Sequence, residues 1–272
     1  MSRDYQAGPP LSLSTNGNDL LQRLSPEGRE RLRSHLKPVV LRAEEVLYQA
    51  GDRISHIYFP STAVLCMLTI MKDGRTVESA TVGHEGASWV SASLGTPTMP
   101  CQTMVAVAGT AHRIATKYVE EEIRQNGIFH DLLSEYAHAL LISSLRTGAC
   151  NTLHSLAQRS ARWLLVALDR TSGSEFVITH EFMSALLGCS RTSLTTVLGE
   201  LEQAGEHLDG GRLARAVGAE EAEKLAGLND EVDVVDGCEA AFEGACKGLG
   251  GDRWGHVAFE FTSDGQNVSA FL

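Results

Sequence analysis

The six cysteines of this 272-residue chain, Cys66, Cys101, Cys150, Cys189, Cys238 and Cys246, include no Cys-x-x-Cys pair. That spacing excludes a zinc ribbon and a thioredoxin-like redox centre, and leaves small buried hydrophobes as the ordinary reading of the thiols. No run approaches the roughly 20 apolar residues of a membrane-spanning helix. The first 18 residues are polar, with Pro9 and Pro10 and no apolar centre, so they do not read as a secretory signal and a cytoplasmic location is expected. Also missing are a nucleophile–base constellation, a phosphate-cradling glycine loop and a complete metal-ligand set, which argues against an enzyme.

A basic excess is lacking too, although nucleic-acid binders often have one: the net charge is −11. The acidity is unevenly placed. Residues 206–272 hold 14 acids and 5 bases, which leaves 20 acids and 18 bases in residues 1–205. The body of the chain is therefore nearly neutral, and the charge does not exclude an anionic partner for it.

What the chain does have is a change of period along its length. Residues 19–36 carry a helical stripe, Leu20, Leu21, Leu24, Leu32 and Leu36, broken at Ser25-Pro26, which suits an N-cap followed by proline at the first helical position. From residue 39 short strand-like runs follow: Val39 to Leu41, Val46 to Tyr48, Ile57 to Phe59, Val64 to Met71, Thr76 to Val82, Met104 to Val107 and Ala111 to Ile114. Glycine-bearing turns separate them, and evenly spaced short strands argue a roll, barrel or sandwich. Helical signals return after residue 116. From Ile128 to about Ser155, Leu133, Leu140, Thr147 and His154 recur at sevenfold spacing with Tyr136, Ser143 and Cys150 between them. Either a coiled-coil seam or a helix buried against its own domain fits. Cys150 and His154, four apart, could be half of a metal or haem site; a packed cysteine beside a hydrogen-bonded histidine is the plainer reading.

Residues 179–203, THEFMSALLGCSRTSLTTVLGELEQ, carry the functional signal. Thr179 suits an N-cap, Leu187 to Ser190 break the helix, and Ser190 caps a second one. A tight two-helix corner needs apolar Met183, Leu187, Cys189, Leu194 and Val197, a small Ser184 at the crossing and Gly188 at the turn; all stand at helix-turn-helix spacing. In that motif Arg191, Thr192, Thr195 and Thr196 project from the second helix. Arginine can fork onto guanine and threonine can reach a base edge or thymine methyl, while Ser190 and Ser193 suit backbone phosphates. The expected partner is double-stranded DNA.

With these strings in hand, residues 19–205 resemble the cyclic-AMP receptor / fumarate-nitrate regulator (Crp/Fnr) superfamily. The resemblance is carried by EEVLYQAGDRISHIYFPSTAVL, MKDGRTVESATVGHEGA, ACNTLHSLAQRSARWLLVALDR and ITHEFMSALLGCSRTSLTTVLGELEQAG. It implies an α+β chain: a cyclic-nucleotide-binding-like β-roll sensor (19–127), a dimerisation helix (128–156) and a helix-turn-helix DNA-binding domain (157–205). It further implies a homodimer, palindromic half-sites about one helical turn apart, RNA polymerase as a further partner, and a small-molecule effector held near Gly83, His84, Glu85 and Gly86.

Departures from the pattern limit the ligand. Responsive members hold the cyclic phosphate with an arginine-serine or arginine-threonine pair, but here Thr98 to Gln102 contains no arginine, which argues against cyclic AMP. Residues 1–65 contain no cysteine, which excludes the N-terminal iron–sulfur cluster. No cofactor is expected. After Gly205 the wing pattern fails, with only Gly211-Arg212-Leu213 resembling a wing turn, and this puts the wing in question. The tail, 206–272, reads as an added small domain, a partly disordered acidic extension or an out-of-frame segment, and the abrupt change at one residue favours the third; a helix over Ala219 to Leu228 and strands at Val232 to Val235 and Val257 to Phe261 are expected at most. The leading expectation is a DNA-binding transcription regulator. The alternative is a sensor or binding module whose C-terminal domain does not bind DNA.

Overall fold

The computed structural model describes residues 17–89, 96–125, 127–171, 175–206, 258–261 and 267–271. Two short helices open it, α1 (Asp19–Gln22) and α2 (Pro26–Arg33). Each has a side-chain cap: Asn18 accepts from Leu21 N, and Ser25 accepts from Gly28 N with Pro26 at the first position, as the sequence predicts. Seven strands follow: β1 (Lys37–Leu41), β2 (Val46–Tyr48), β3 (His56–Pro60), β4 (Val64–Ile70), β5 (Thr76–Val82), β6 (Gln102–Val107) and β7 (Gly109–Ala115). They pair antiparallel in two sheets, ordered β1-β7-β3 and β2-β6-β4-β5. Leu41, Ala63, Leu65, Val82, Val105 and Ala111 from both sheets meet in one buried cluster, the interior of the roll.

Helix α3 (Thr116–Gln125) leads into the long α4 (Gly127–Leu153), and α5 (Leu156–Arg170) starts after a break at His154-Ser155. The break has a local cause. Ser155 accepts from Gln158 N, and the Gln158 side chain accepts from Ser155 N, a reciprocal capping box that fixes a new helix start. Beyond it lie β8 (Glu175–Thr179), α6 (His180–Leu186) and α7 (Arg191–Glu206). β8 is a strand that the sequence pattern did not disclose.

For the long helix the sequence leaves two arrangements open. Phe129 and Leu133 are buried and Tyr136 and Leu140 half-buried, all packed against the roll; this is the outcome in which the helix is buried on its own domain. The large apolar side chains left outside on α4 include Leu141 at 57% exposure and Leu145 at 66%, one turn apart on a different face. Thr147 and Cys150 are half-buried, and the His154 amide donates to Cys150 O. Among the described residues no group of three metal-ligating side chains converges, and no helix is long and apolar enough to cross a membrane.

The tail brings a second difference. Strands β9 (Ala258–Phe261) and β10 (Asn267–Phe271) pair with β8 to give a three-stranded antiparallel sheet ordered β8-β10-β9. This pair of strands is supplied from far downstream rather than directly after Gly205, and β9 lies against α7. Gly211-Arg212-Leu213 and the expected pieces at 219–228 and 232–235 lie outside the described residues, as do Cys238 and Cys246.

β4 shows how the parts join. Its burial runs on both faces: Leu65 and Met67 point into the roll, while Val64, Cys66 and Leu68 point outward into a cluster with Trp163, Leu164, Phe176, Met183 and Leu186. Successive strand residues face opposite sides, so a strand apolar on both must be covered twice. The second cover here is α5, β8 and α6. Inside this seam Glu78 of β5 is buried, accepting from Trp163 Nε1–H at 2.7 Å and from the Thr81 hydroxyl at 3.0 Å. Burial raises its carboxyl to about 7, against the pull of Thr81, Trp163, Arg170 and Arg162. Between the ordinary glutamate range and about 7 the folded chain thus binds more protons than the unfolded one, so stability falls as pH rises through that window and levels off above it. Glu78→Gln keeps an acceptor for Trp163 and removes the titration. Its stability relative to wild type is expected to grow by up to about 3 kcal/mol between mildly acidic and mildly alkaline pH, read by denaturant unfolding; a pH-independent difference would show that Glu78 does not titrate there.

Candidate nucleic-acid interface

The corner between α6 and α7 is built from short-range chemistry. Thr179 caps α6, its hydroxyl oxygen accepting from Phe182 N at 3.1 Å. Leu187 N donates to Met183 O, Gly188 N to Ala185 O and Cys189 N to Ser184 O, so the first helix closes over three successive amides. Gly188 then takes φ +63°, a left-handed conformation that glycine adopts without strain. Arg159 of α5 pins the turn from behind, donating to Leu187 O at 2.8 Å. On the far side Ser190 Oγ accepts from Ser193 N at 3.0 Å and starts α7. Of the residues required for the corner, Met183, Ser184, Leu187 and Leu194 are buried; Cys189 and Val197 are half-buried against the same cluster.

Ser190, Arg191, Thr192, Ser193, Thr195 and Thr196 all lie on the solvent side of this corner, at or within two turns of the start of α7. Their hydroxyls are not equivalent. Ser190 and Ser193 bond each other at 2.8 Å, and Thr196 donates to Thr192 O at 3.1 Å along the helix. Thr195 Oγ1 lies 3.0 Å from Nδ1 of His180, a residue whose role the sequence did not signal. His180 is 1% exposed at the start of α6. Burial, reinforced by the nearby Arg191 charge, lowers its pKa, so the ring is neutral at neutral pH.

The four residues expected near an effector occupy a different setting. Gly83, His84, Glu85 and Gly86 follow β5 and form a junction with α1, α4 and α5. Glu85 accepts from Arg170 Nε at 2.6 Å and from Gly83 N. His84 Nδ1 lies 2.7 Å from Asp19 Oδ2, and that contact raises the histidine's pKa. A Cβ on Gly83 would collide with the Arg170 stem, and one on Gly86 with the Tyr136 hydroxyl, so both glycines are required by close approach. Asn18, fully buried, donates to Pro60 O and Gly86 O at 2.8 Å each and ties the same loop to the roll. Arg170, Asp19 and Asn18 thus tie this loop to α5, α1 and the roll. An open cleft of about 700 Å³ lies elsewhere, between Glu44, Thr62 and Val107 of the roll and Phe176, Thr179 and Phe182 of the head. There Glu44, at φ +64°, accepts from the Thr179 hydroxyl at 3.3 Å.

At Gly188 a Cβ would meet only ordinary contacts beyond 3.5 Å, the nearest being Thr76 O at 3.6 Å, so the cost of Gly188→Ala is conformational. We expect about 1–2 kcal/mol of destabilisation with folding retained, seen as a lower denaturant midpoint at unchanged slope; an unaltered midpoint would show that the turn tolerates a side chain.

No protein-family model and no curated protein matches the sequence. Among solved structures, the c-di-GMP responsive global regulator CLP of Xanthomonas campestris superposes with a TM-score of 0.51 at 15% identity, covering 66% of this chain and 93% of that one. A protein from Eubacterium rectale described as a transcriptional regulator of the Crp/Fnr family gives 0.51 at 16% identity, covering 70% and 89%. The antiparallel roll, the long helix and the helices beyond it are, in this order and arrangement, the fold of the Crp/Fnr transcription regulators.

Proposed function

We propose that the chain is a dimeric, DNA-binding transcription regulator whose roll senses a small effector and whose α6–α7 corner reads a palindromic operator. The observation that carries this is the corner itself: a capped, glycine-turned pair of helices that buries Met183, Leu187 and Leu194 while leaving Ser190, Arg191, Thr192, Ser193, Thr195 and Thr196 outside. A β-hairpin beside α7, in the position of a wing, supports the same reading. Arg191 would fork onto a guanine edge, the threonines would reach base edges or methyls, and Ser190 with Ser193 would take phosphate.

The second copy belongs on α4. Its 27 residues are apolar on more than one face; the roll covers the face of Phe129, Leu133 and Leu140 and Ile142 is buried as well, while Leu141 and Leu145 stay exposed one turn apart. Pairing two such helices would set the spacing of the two reading corners to successive half-sites. A small effector in the cleft beside Glu44 and Thr179 would touch roll and head together, and could bias between two dimer geometries of which one matches the operator. Contact with RNA polymerase belongs to this reading as a consequence of transcription control.

Selection from random duplex DNA is the direct test. Wild type should enrich a palindrome, and Arg191→Ala should relax it at one base pair per half-site with a loss of about 1–3 kcal/mol. Enrichment of no sequence at low salt would leave a sensor without DNA binding. The paired change Leu141→Glu with Leu145→Glu should give a folded monomer by light scattering, with operator affinity reduced at least tenfold; a persistent dimer would place the interface elsewhere.

A further inference from the structure

We infer that His180 is a positioning residue for DNA reading: through its Nδ1 contact with Thr195 it decides whether the threonine hydroxyl offers a base edge a donor or an acceptor. This rests on the DNA-binding reading above and adds a specificity element to it.

The geometry is short and closed. His180 is the first residue of α6, buried to 1% exposure, while Thr195 stands on the second turn of α7 with its side chain toward solvent. Their 3.0 Å contact crosses the corner between the two helices. A neutral imidazole carries its proton on one nitrogen, so the contact exists in two forms. With the proton on Nδ1, the ring donates to Thr195 Oγ1 and the hydroxyl proton is free to point outward, toward an acceptor such as guanine O6 or N7 or thymine O4. With Nδ1 bare, the threonine hydroxyl donates inward, and only its oxygen lone pairs face outward, toward an amino group of adenine or cytosine. The hydroxyl's donor capacity can thus be spent inward or outward but not both ways at once.

Burial serves this role in two ways. It removes water that would otherwise compete for Nδ1, and it fixes the ring at the start of α6, which Thr179 caps and Phe182 and Met183 anchor in the core. The neighbouring Arg191 charge opposes a second proton on the ring. The histidine therefore acts on recognition as an oriented hydrogen-bond partner and not as a charge. Among the described residues, the hydroxyls of Thr196 and Ser193 bond partners three or four residues away in the chain, not on another helix.

Two measurements test the assignment on the full chain. In the first, ¹⁵N spectra of histidine-labelled protein are recorded without DNA for wild type and Thr195→Val. Loss of the hydroxyl should shift the His180 nitrogens, and an unchanged pair of shifts would overturn the proposal whatever the protein does with DNA. In the second, operator selection compares wild type, His180→Phe, His180→Asn and Thr195→Val. His180→Phe keeps a buried ring but cannot bond. It should change the base preferred at one position per half-site by about tenfold, at the same position that Thr195→Val changes. His180→Asn, whose side-chain amide reaches the place of Nδ1, should restore selectivity at that position. A uniform loss of affinity for all sequences in His180→Phe, with the selected palindrome unchanged, would mean that His180 only packs the corner. Arg191→Ala in the same selection separates the two levels: if it relaxes its own position while His180→Phe leaves every preference intact, the DNA-binding reading stands and this inference falls.

Discussion

The outer face of the sheet β2-β6-β4-β5 is apolar where a free-standing roll would need polar residues. Val64, Cys66, Leu68, Ala106 and Val107 cannot face water in that number without cost, and the helices that follow the roll are what cover them. Burying five such side chains is worth on the order of 5–10 kcal/mol by area, comparable with the whole stability of an ordinary domain. Much of the remaining architecture depends on that covering: α5 must break from α4 at Ser155 to lie on the sheet, β8 must run beside β6, and α6 must turn Met183 and Leu186 inward. The α6–α7 corner is held on the roll by a continuous core, with the outer face of α7 exposed.

Polar contacts along this seam fix its register more than they strengthen it. Glu78 with Trp163, Glu85 with Arg170 and Glu44 with Thr179 each join a roll residue to a residue of α5 or the start of α6. A buried ionic or hydrogen-bonded pair gains little over apolar packing, but it penalises every alternative alignment in which one partner is left alone. The two glycines beside Arg170 and Tyr136 act in the same direction, because any side chain there would force the helices off the roll. Together these contacts tie α5 and the start of α6 to the roll along the whole seam.

How much of this could be read beforehand depended on whether the cause was local. Strand alternation from Val39 to Ile114, the Ser25-Pro26 cap and the corner from Thr179 to Val197 rest on neighbours a few residues apart, and the structure follows them closely. The choice of face on α4 was not local. Leu133, Tyr136 and Leu140 repeat like a seam, but the roll claims that stripe first and leaves Leu141 and Leu145 outside. Gly83 to Gly86 stand near a ligand position of the family they resemble, and the approach of Arg170 and Tyr136 to them comes from elements far along the chain. His180 gave no signal because its meaning lies in Thr195, fifteen residues away across a turn. β8 escaped notice because five residues without a neighbouring strand in sequence do not identify themselves.

The order of strands in the small sheet bears on how the chain comes to be folded. β10 lies in the middle, and its register sets Asn267 opposite Thr179, so the central strand reaches its partner only after roughly ninety residues of intervening chain have been made. On the ribosome, the roll and the α6–α7 corner can collapse together while β8 still has an open edge. Until the hairpin arrives, that edge offers unpaired amides and carbonyls to any other extended segment. Assembly of the head is therefore a late, non-local event, and a nascent or truncated chain would carry a sticky strand beside an otherwise finished molecule.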